Sequence, residues 1–148
     1  MAISKSQILI TTALLPTPPA DWKASAGAVV DFWGVVRGME DGREISGIDY
    51  EAHEGMARHQ METLAEEARA QFHLEEIILR HRIGFVGAGE ASLFLRVSSA
   101  HRAAAFAGSA WMIAELKRKV PIWKRPLFVR QEEGSATPQP SQPVAACE

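Results

Sequence analysis

The chain has 148 residues, 47% of them hydrophobic, which is enough for one globular domain with a real core. Sixteen Lys and Arg against eighteen Asp and Glu leave a formal charge of -2, so any basic site is local and general nucleic-acid binding is not expected. The single cysteine, Cys147, excludes an internal disulfide framework and argues against a catalytic thiol or a Cys-based metal site.

The opening MAISKSQILITTALLPTPPA carries Lys5 and an apolar run too short to span a membrane. Gln7 to Leu15 reads as a first strand, and the expected location is cytoplasmic with no membrane partner. Pro16, Pro18 and Pro19 punctuate the chain, and Asp21 to Ala26 forms a short helix or turn. Gly27 to Arg37 (GAVVDFWGVVR) is β-rich and strongly apolar, the pattern of a central strand rather than an edge. Met39 to Arg43 is a polar turn, and Ile45 to Tyr50 a shorter strand.

Gly55 to Phe72 is a helix whose stripe is Met61, Leu64, Ala65, Ala68 and Phe72, with Arg58, Glu62, Glu66 and Arg69 facing water. Glu75 to Ile83 and Ala91 to Ser98 are strands joined through Gly87-Ala88-Gly89, a hairpin signal. A long helix from about His101 to Val120 ends at Pro121. From about residue 131 the chain is Pro, Ser, Gln and Ala without periodicity, the composition of a disordered tail. The expected architecture is therefore one α+β domain over residues 1–130 with a mainly antiparallel sheet, followed by a tail over 131–148.

The long helix carries the most informative residue. Phe106, Ala110, Ile113 and Val120 recur at helical spacing, and one turn after Ile113 the same stripe holds Lys117. A lysine facing inward snorkels, finds a partner, or loses part of its charge and becomes a nucleophile or proton donor. Lys124 follows just beyond Pro121. His101 and Arg102 stand at the helix start after Ser99, a candidate N-cap, either to bind an anion or as two exposed side chains. Arg37 closes its apolar strand, either at a pocket rim or as a solvated strand end.

Other polar residues suggest less. His81 shares a face with Ile77, Leu79 and Ile83 and reads as a core histidine. His53 and His59 match no metal-ligand spacing, and no serine has a nucleophile-elbow context. Trp111 falls on the polar side of the long helix, suiting either an interface or packing under a loop. The residues thus spell an anion pocket of arginine, histidine and two lysines, with no substrate named.

Five segments extend this reading: GAVVDFWGVVR (Gly27 to Arg37), YEAHEGMA (Tyr50 to Ala57), HRIGFVGAGE (His81 to Glu90), SSAHRAAAF (Ser98 to Phe106) and LKRKVPIWKR (Leu116 to Arg125). In order and spacing they resemble the catalytic large subunit of molybdopterin synthase, over about residues 5 to 130. The resemblance implies an α/β-hammerhead fold and a homodimer within a heterotetramer. The partner would be a small ubiquitin-like sulfur carrier ending in a Gly-Gly thiocarboxylate. Two sulfurs would pass to cyclic pyranopterin monophosphate, forming the molybdopterin dithiolene with no metal or organic cofactor.

By the same resemblance Lys117 and Lys124 are the catalytic lysines, while Arg37, His101 and Arg102 hold the phosphate and pterin, with Arg125 supplementing them. The chain departs from the family at Pro126 and Ala114, where acidic residues are common, and at His53, where Tyr is usual. The family's Trp-containing segment beyond Phe128 is also missing. These departures leave a second reading open: a paralogue that binds a carrier or a phosphorylated pterin without turnover.

Overall fold

The computed structural model describes residues 6–130 and 142–143. In chain order the elements are β1 (Ser6–Thr11), β2 (Ala28–Val35), β3 (Met39–Glu40), β4 (Arg43–Ala52), α1 (Glu54–Phe72), β5 (Glu76–Arg82), β6 (Gly84–Gly87), β7 (Ala91–Ser99), α2 (Arg102–Lys119), β8 (Ile122–Phe128) and β9 (Gln142–Pro143). The tail expected from residue 131 lies outside the described residues, β9 excepted.

Two sheets form an α+β domain. The first has the order β1-β5-β7-β2; β1 runs parallel to β5 and the other neighbours are antiparallel. The second joins β3, β4, β8 and β9, with β6 also paired to β4. Both helices pack on one face of the first sheet and against each other. The core between them holds Leu79, Leu93, Leu95 and Val97 from the strands, Met61, Leu64 and Ala65 from α1, and Met112 and Leu116 from α2.

The α1 stripe lies as its periodicity predicts, with Met61, Leu64, Ala65 and Ala68 buried. His53 is its N-cap, Nδ1 accepting the Met56 amide at 3.2 Å. His81 is a core histidine, wholly buried.

Several expectations are corrected. Gly27 to Arg37 does not run centrally: β2 is an edge strand of the first sheet. Its apolar run reports the packing of its faces, with α2 on one side and Phe94 tilted against Trp33, ring centroids 4.5 Å apart, on the other. Asp21 to Ala26 contains a turn and no helix, and Ile45 to Tyr50 is part of a ten-residue strand. The Glu75–Ser98 hairpin is interrupted by β6, which leaves to join β4 before β7 returns beside β5. Ile122–Phe128 forms a strand that the Lys, Arg and Pro within it concealed.

The stripe of α2 is rotated from the expected one. Ala105, Gly108, Ser109, Met112, Glu115 and Leu116 face inward, while Phe106 is 62% exposed. Lys117 therefore lies half-buried on the flank of the packed face rather than within it. Trp111 is half-buried too, its ring tilted against that of Phe72 on α1 with centroids 5.8 Å apart, so it packs between helices.

Residues 13–26 form a strap over the other face of the first sheet. Arg80 and Arg96 donate to the carbonyls of Pro16 and Pro19 at 2.6 and 2.8 Å, and Lys23 pairs with Glu76 at 3.0 Å. Arg96 also forks onto Asp31, with contacts of 2.6 and 2.8 Å. A cavity of about 250 Å³ remains beneath the strap, between Trp22 and Ile78. Of the charges around it, Lys23 pairs with Glu76, and Arg80 and Arg96 are tied to strap carbonyls.

Candidate active site

Strand register decides which cations meet. The start of β2 lies beside the end of β7, Ala28 opposite Ser99, and its end lies beside the start of β7, Val35 opposite Ala91. From Ser99 the chain turns at His101 into α2, which runs back over β7 and β2. His101 and Arg102 thus stand at one end of the domain, with Arg37 and the last turn of α2 at the other. Arg102 and Lys117 are fifteen helical residues apart, a rise of about 22 Å. The pocket expected to hold all of them together is divided between two places.

At the first place the helix start is open. Ser99 is the last residue of β7, so the expected cap is corrected: the N-cap is His101, whose side chain makes no capping bond. The first turn has no acidic residue. Unsatisfied backbone N–H groups, the positive end of the helix dipole and two exposed basic side chains converge there, a ready site for an oxyanion.

At the second place Pro121 breaks α2 and turns the chain into β8, bringing Lys124 back seven residues after Lys117. Lys117 has no ion-pair partner among the described residues. Its neighbours in the last turn are committed, since Arg118 and Lys119 reach Glu115 at 2.8 and 3.0 Å. The hydrogen bond from Lys119 holds the Glu115 carboxyl below its usual range, against its burial. Lys124 is only 11% exposed at its side chain and lies 3.5 Å from Glu40, 18% exposed.

Arg37 is exposed, on a segment pinned by backbone bonds on both sides: the Val36 amide to Glu90 and the Ile45 amide to Gly38, each at 2.9 Å. Arg125 points away from Lys124, as alternation along a strand requires, and pairs with Asp49 at 3.1 Å. Glu40 escaped the sequence reading, because it sits in a polar turn where a solvated carboxylate is the ordinary expectation. Among the described residues no group of three or more His, Cys, Asp and Glu is placed to hold a metal ion. No helix there is long and apolar enough to cross a membrane.

Residues 10–119 match the model of a protein family described as MoaE protein. The chain belongs to the MoaE family. It is 41% identical over 106 residues to the molybdopterin synthase catalytic subunit of Thermoplasma volcanium, a match covering 72% of this chain and 77% of that one. Rice and human subunits of the same name are longer, and matches at 40% and 36% identity span 54% of each. Among solved structures, molybdopterin synthase from Staphylococcus aureus superposes with a TM-score of 0.74 at 25% identity, covering 88% of this chain and 96% of that one. A complex of subunits 1 and 2 of the molybdopterin-converting factor of Helicobacter pylori shares the fold, with a TM-score of 0.62 at 18% identity over 87% and 92% of the chains. The MoaE match contains Arg37, His101, Arg102 and Lys117, and stops short of Lys124 and Arg125.

Proposed function

We propose that this MoaE chain is a molybdopterin synthase catalytic subunit, moving sulfur from the thiocarboxylate of a small ubiquitin-like carrier to cyclic pyranopterin monophosphate in the cytoplasm. The observation that carries the reading is the gathering of Arg37, Lys117 and Lys124 at one end of α2 in a member of this family. Residues 1–130 hold every residue of the working site, and from the stretch beyond them Gln142–Pro143 adds β9 beside β8.

The lysine end is where sulfur is transferred. Lys117, free of an ion-pair partner among the described residues, acts on the thiocarboxylate or on the intermediate that follows. Lys124 stabilises the negative charge that develops as the carbon–sulfur bond of the carrier breaks. In each transfer the thiocarboxylate sulfur stays on the substrate while water adds its oxygen to the acyl carbon of the carrier, which leaves as its carboxylate, so two carriers complete the dithiolene. This chemistry asks for no metal or organic cofactor.

His101, Arg102 and the uncapped start of α2 hold the substrate phosphate. They lie about 22 Å along the helix from Lys117 of the same chain. The complete pocket is therefore built by two copies, one giving Arg37 and the lysines and the other giving His101 and Arg102. A homodimer flanked by two carriers, a heterotetramer, follows. Arg125, turned away beside Asp49, adds only to the general field.

The test is reconstitution with thiocarboxylated carrier and cyclic pyranopterin monophosphate, reading the dithiolene product by its fluorescent oxidised derivative. Product that is lost in Lys117→Ala is expected. Carrier binding without product would instead make the chain a non-catalytic binder, with Pro126→Glu the first substitution to try.

A further inference from the structure

Glu40 and Lys124 come from distant parts of the second sheet. Glu40 is opposite Arg43 on β4, whereas Lys124 is opposite Tyr50, seven residues further along the same strand. In a flat sheet that offset is about 23 Å. Furthermore, β3 and β8 lie on opposite sides of β4. A side-chain separation of 3.5 Å is reached only if the β3–β4 hairpin folds over the sheet and lays Glu40 against Lys124. The register shift between Ile45 and Gly47 supplies the bend, since an unpaired residue kinks the strand that carries it. Asp41 and Gly42, both at positive φ, close the hairpin tightly enough to aim Glu40 back.

The burial of the pair gives this arrangement its chemical meaning. At 11% and 18% side-chain exposure the two charges are screened far less than a surface pair. A flexible four-carbon stem would otherwise let the ammonium sample many positions. Glu40 also lies three residues after Arg37, on the segment that backbone bonds hold to Glu90 and Ile45. One carboxylate thereby ties the β8 lysine to the strand end that carries the arginine.

We propose that Glu40 is a positioning residue that fixes Lys124 over the sulfur-transfer end of the site. The inference rests on the synthase reading for its kinetic consequence, though the geometry of the pair stands apart from it. Glu40 touches neither carrier nor substrate; it acts through Lys124, limiting where the ammonium can meet developing charge. Lys124 has three donors, so it keeps a hydrogen for an incoming anion while Glu40 holds it.

Two measurements on the whole protein test this. In the first, lysines are labelled with an amine-acylating reagent and followed by peptide mass spectrometry. Glu40→Gln should make Lys124 react several-fold faster while Lys23 is unchanged; an unchanged rate at Lys124 overturns the proposal. In the second, kinetics in the reconstituted system should show kcat reduced about tenfold or more in Glu40→Gln, with KM for the pterin within about twofold. Glu40→Asp should recover part of the loss. The double variant with Lys124→Ala should be no slower than Lys124→Ala alone. Full kcat in Glu40→Gln, or additive losses in the double variant, would overturn the assignment. Wild-type protein that makes no dithiolene, together with faster Lys124 labelling in Glu40→Gln, would sink the synthase reading and support the Glu40 pairing.

Discussion

Gly27 stands directly against the carbonyl of Ala100: a Cβ on Gly27 would collide with that oxygen. The approach ties the start of β2 to the residue before His101, and so fixes the sheet to the open end of α2. Gly27→Ala must push two backbone segments apart, because a backbone oxygen cannot swing aside as a side-chain end can. The expected cost is about 2 kcal/mol, read as a melting temperature lower by about 6 °C. Phosphate affinity should weaken with it. An alanine variant that melts with the wild type would contradict the close approach.

The fork between Arg96 and Asp31 gives a second prediction. Arg96 is nearly buried and Asp31 a third exposed, so removing the carboxylate strands a cation that water reaches poorly. Asp31→Ala should lower stability by about 2 kcal/mol in urea denaturation. The double variant Asp31→Ala, Arg96→Met should be more stable than Asp31→Ala alone, since it removes the stranded charge. A double variant that is weaker still would place the stabilisation in the Arg96 bond to Pro19 instead.

His81 makes stability depend on pH. It is fully buried, and burial pushes its pKa down from 6.5 to about 4, against the opposing bond between Nδ1 and the Arg82 carbonyl at 2.6 Å. The unfolded chain takes up the proton near 6.5 and the folded chain only near 4, so between those values the unfolded state binds more protons. Stability is fully present above pH 6.5 and falls as pH drops towards 4, by up to about 3 kcal/mol. Urea midpoints across pH 4.5 to 7.5 should show this slope, and His81→Gln should flatten it. A wild-type profile without the slope would mean that His81 is protonated in the native state.

A site shared by two chains can be tested by mixing. Lys117→Ala and Arg102→Ala should each abolish most sulfur transfer while leaving the melting temperature within about 2 °C, since neither side chain packs in the core. Random mixing of the two variants makes half the dimers mixed, and one of the two pockets in each is intact. About a quarter of wild-type activity should therefore return on mixing. No recovery after subunit exchange would place all the residues in one chain's pocket, against the length of α2.

How much the sequence disclosed follows from contrast between side chains. In α1 the apolar residues Met61 and Leu64 alternate with charged ones, so the 3.6-residue period fixes the buried face. In α2 the first turns are nearly all Ala, Gly and Ser, which bury or expose at similar cost, and Phe106 misled by facing water. The stripe that points to Lys117 is misplaced, yet the residue's half-buried flank sets it apart from exposed Arg118 and Lys119. The separation of His101 from Lys117 was implicit in helix length. The pairing of Lys124 with Glu40 was not, because it depends on how β4 bends.

In the proposed dimer, α2 belongs to two pockets at once, offering Lys117 to one and His101 with Arg102 to the other. An eighteen-residue helix is a stiff lever, so any displacement at one end would be carried to the other. Each pocket would then respond to the occupancy of its twin. Titration with the pterin should then give a Hill coefficient different from one, and Gly27→Ala, which loosens the lever at its anchored end, should bring it closer to one.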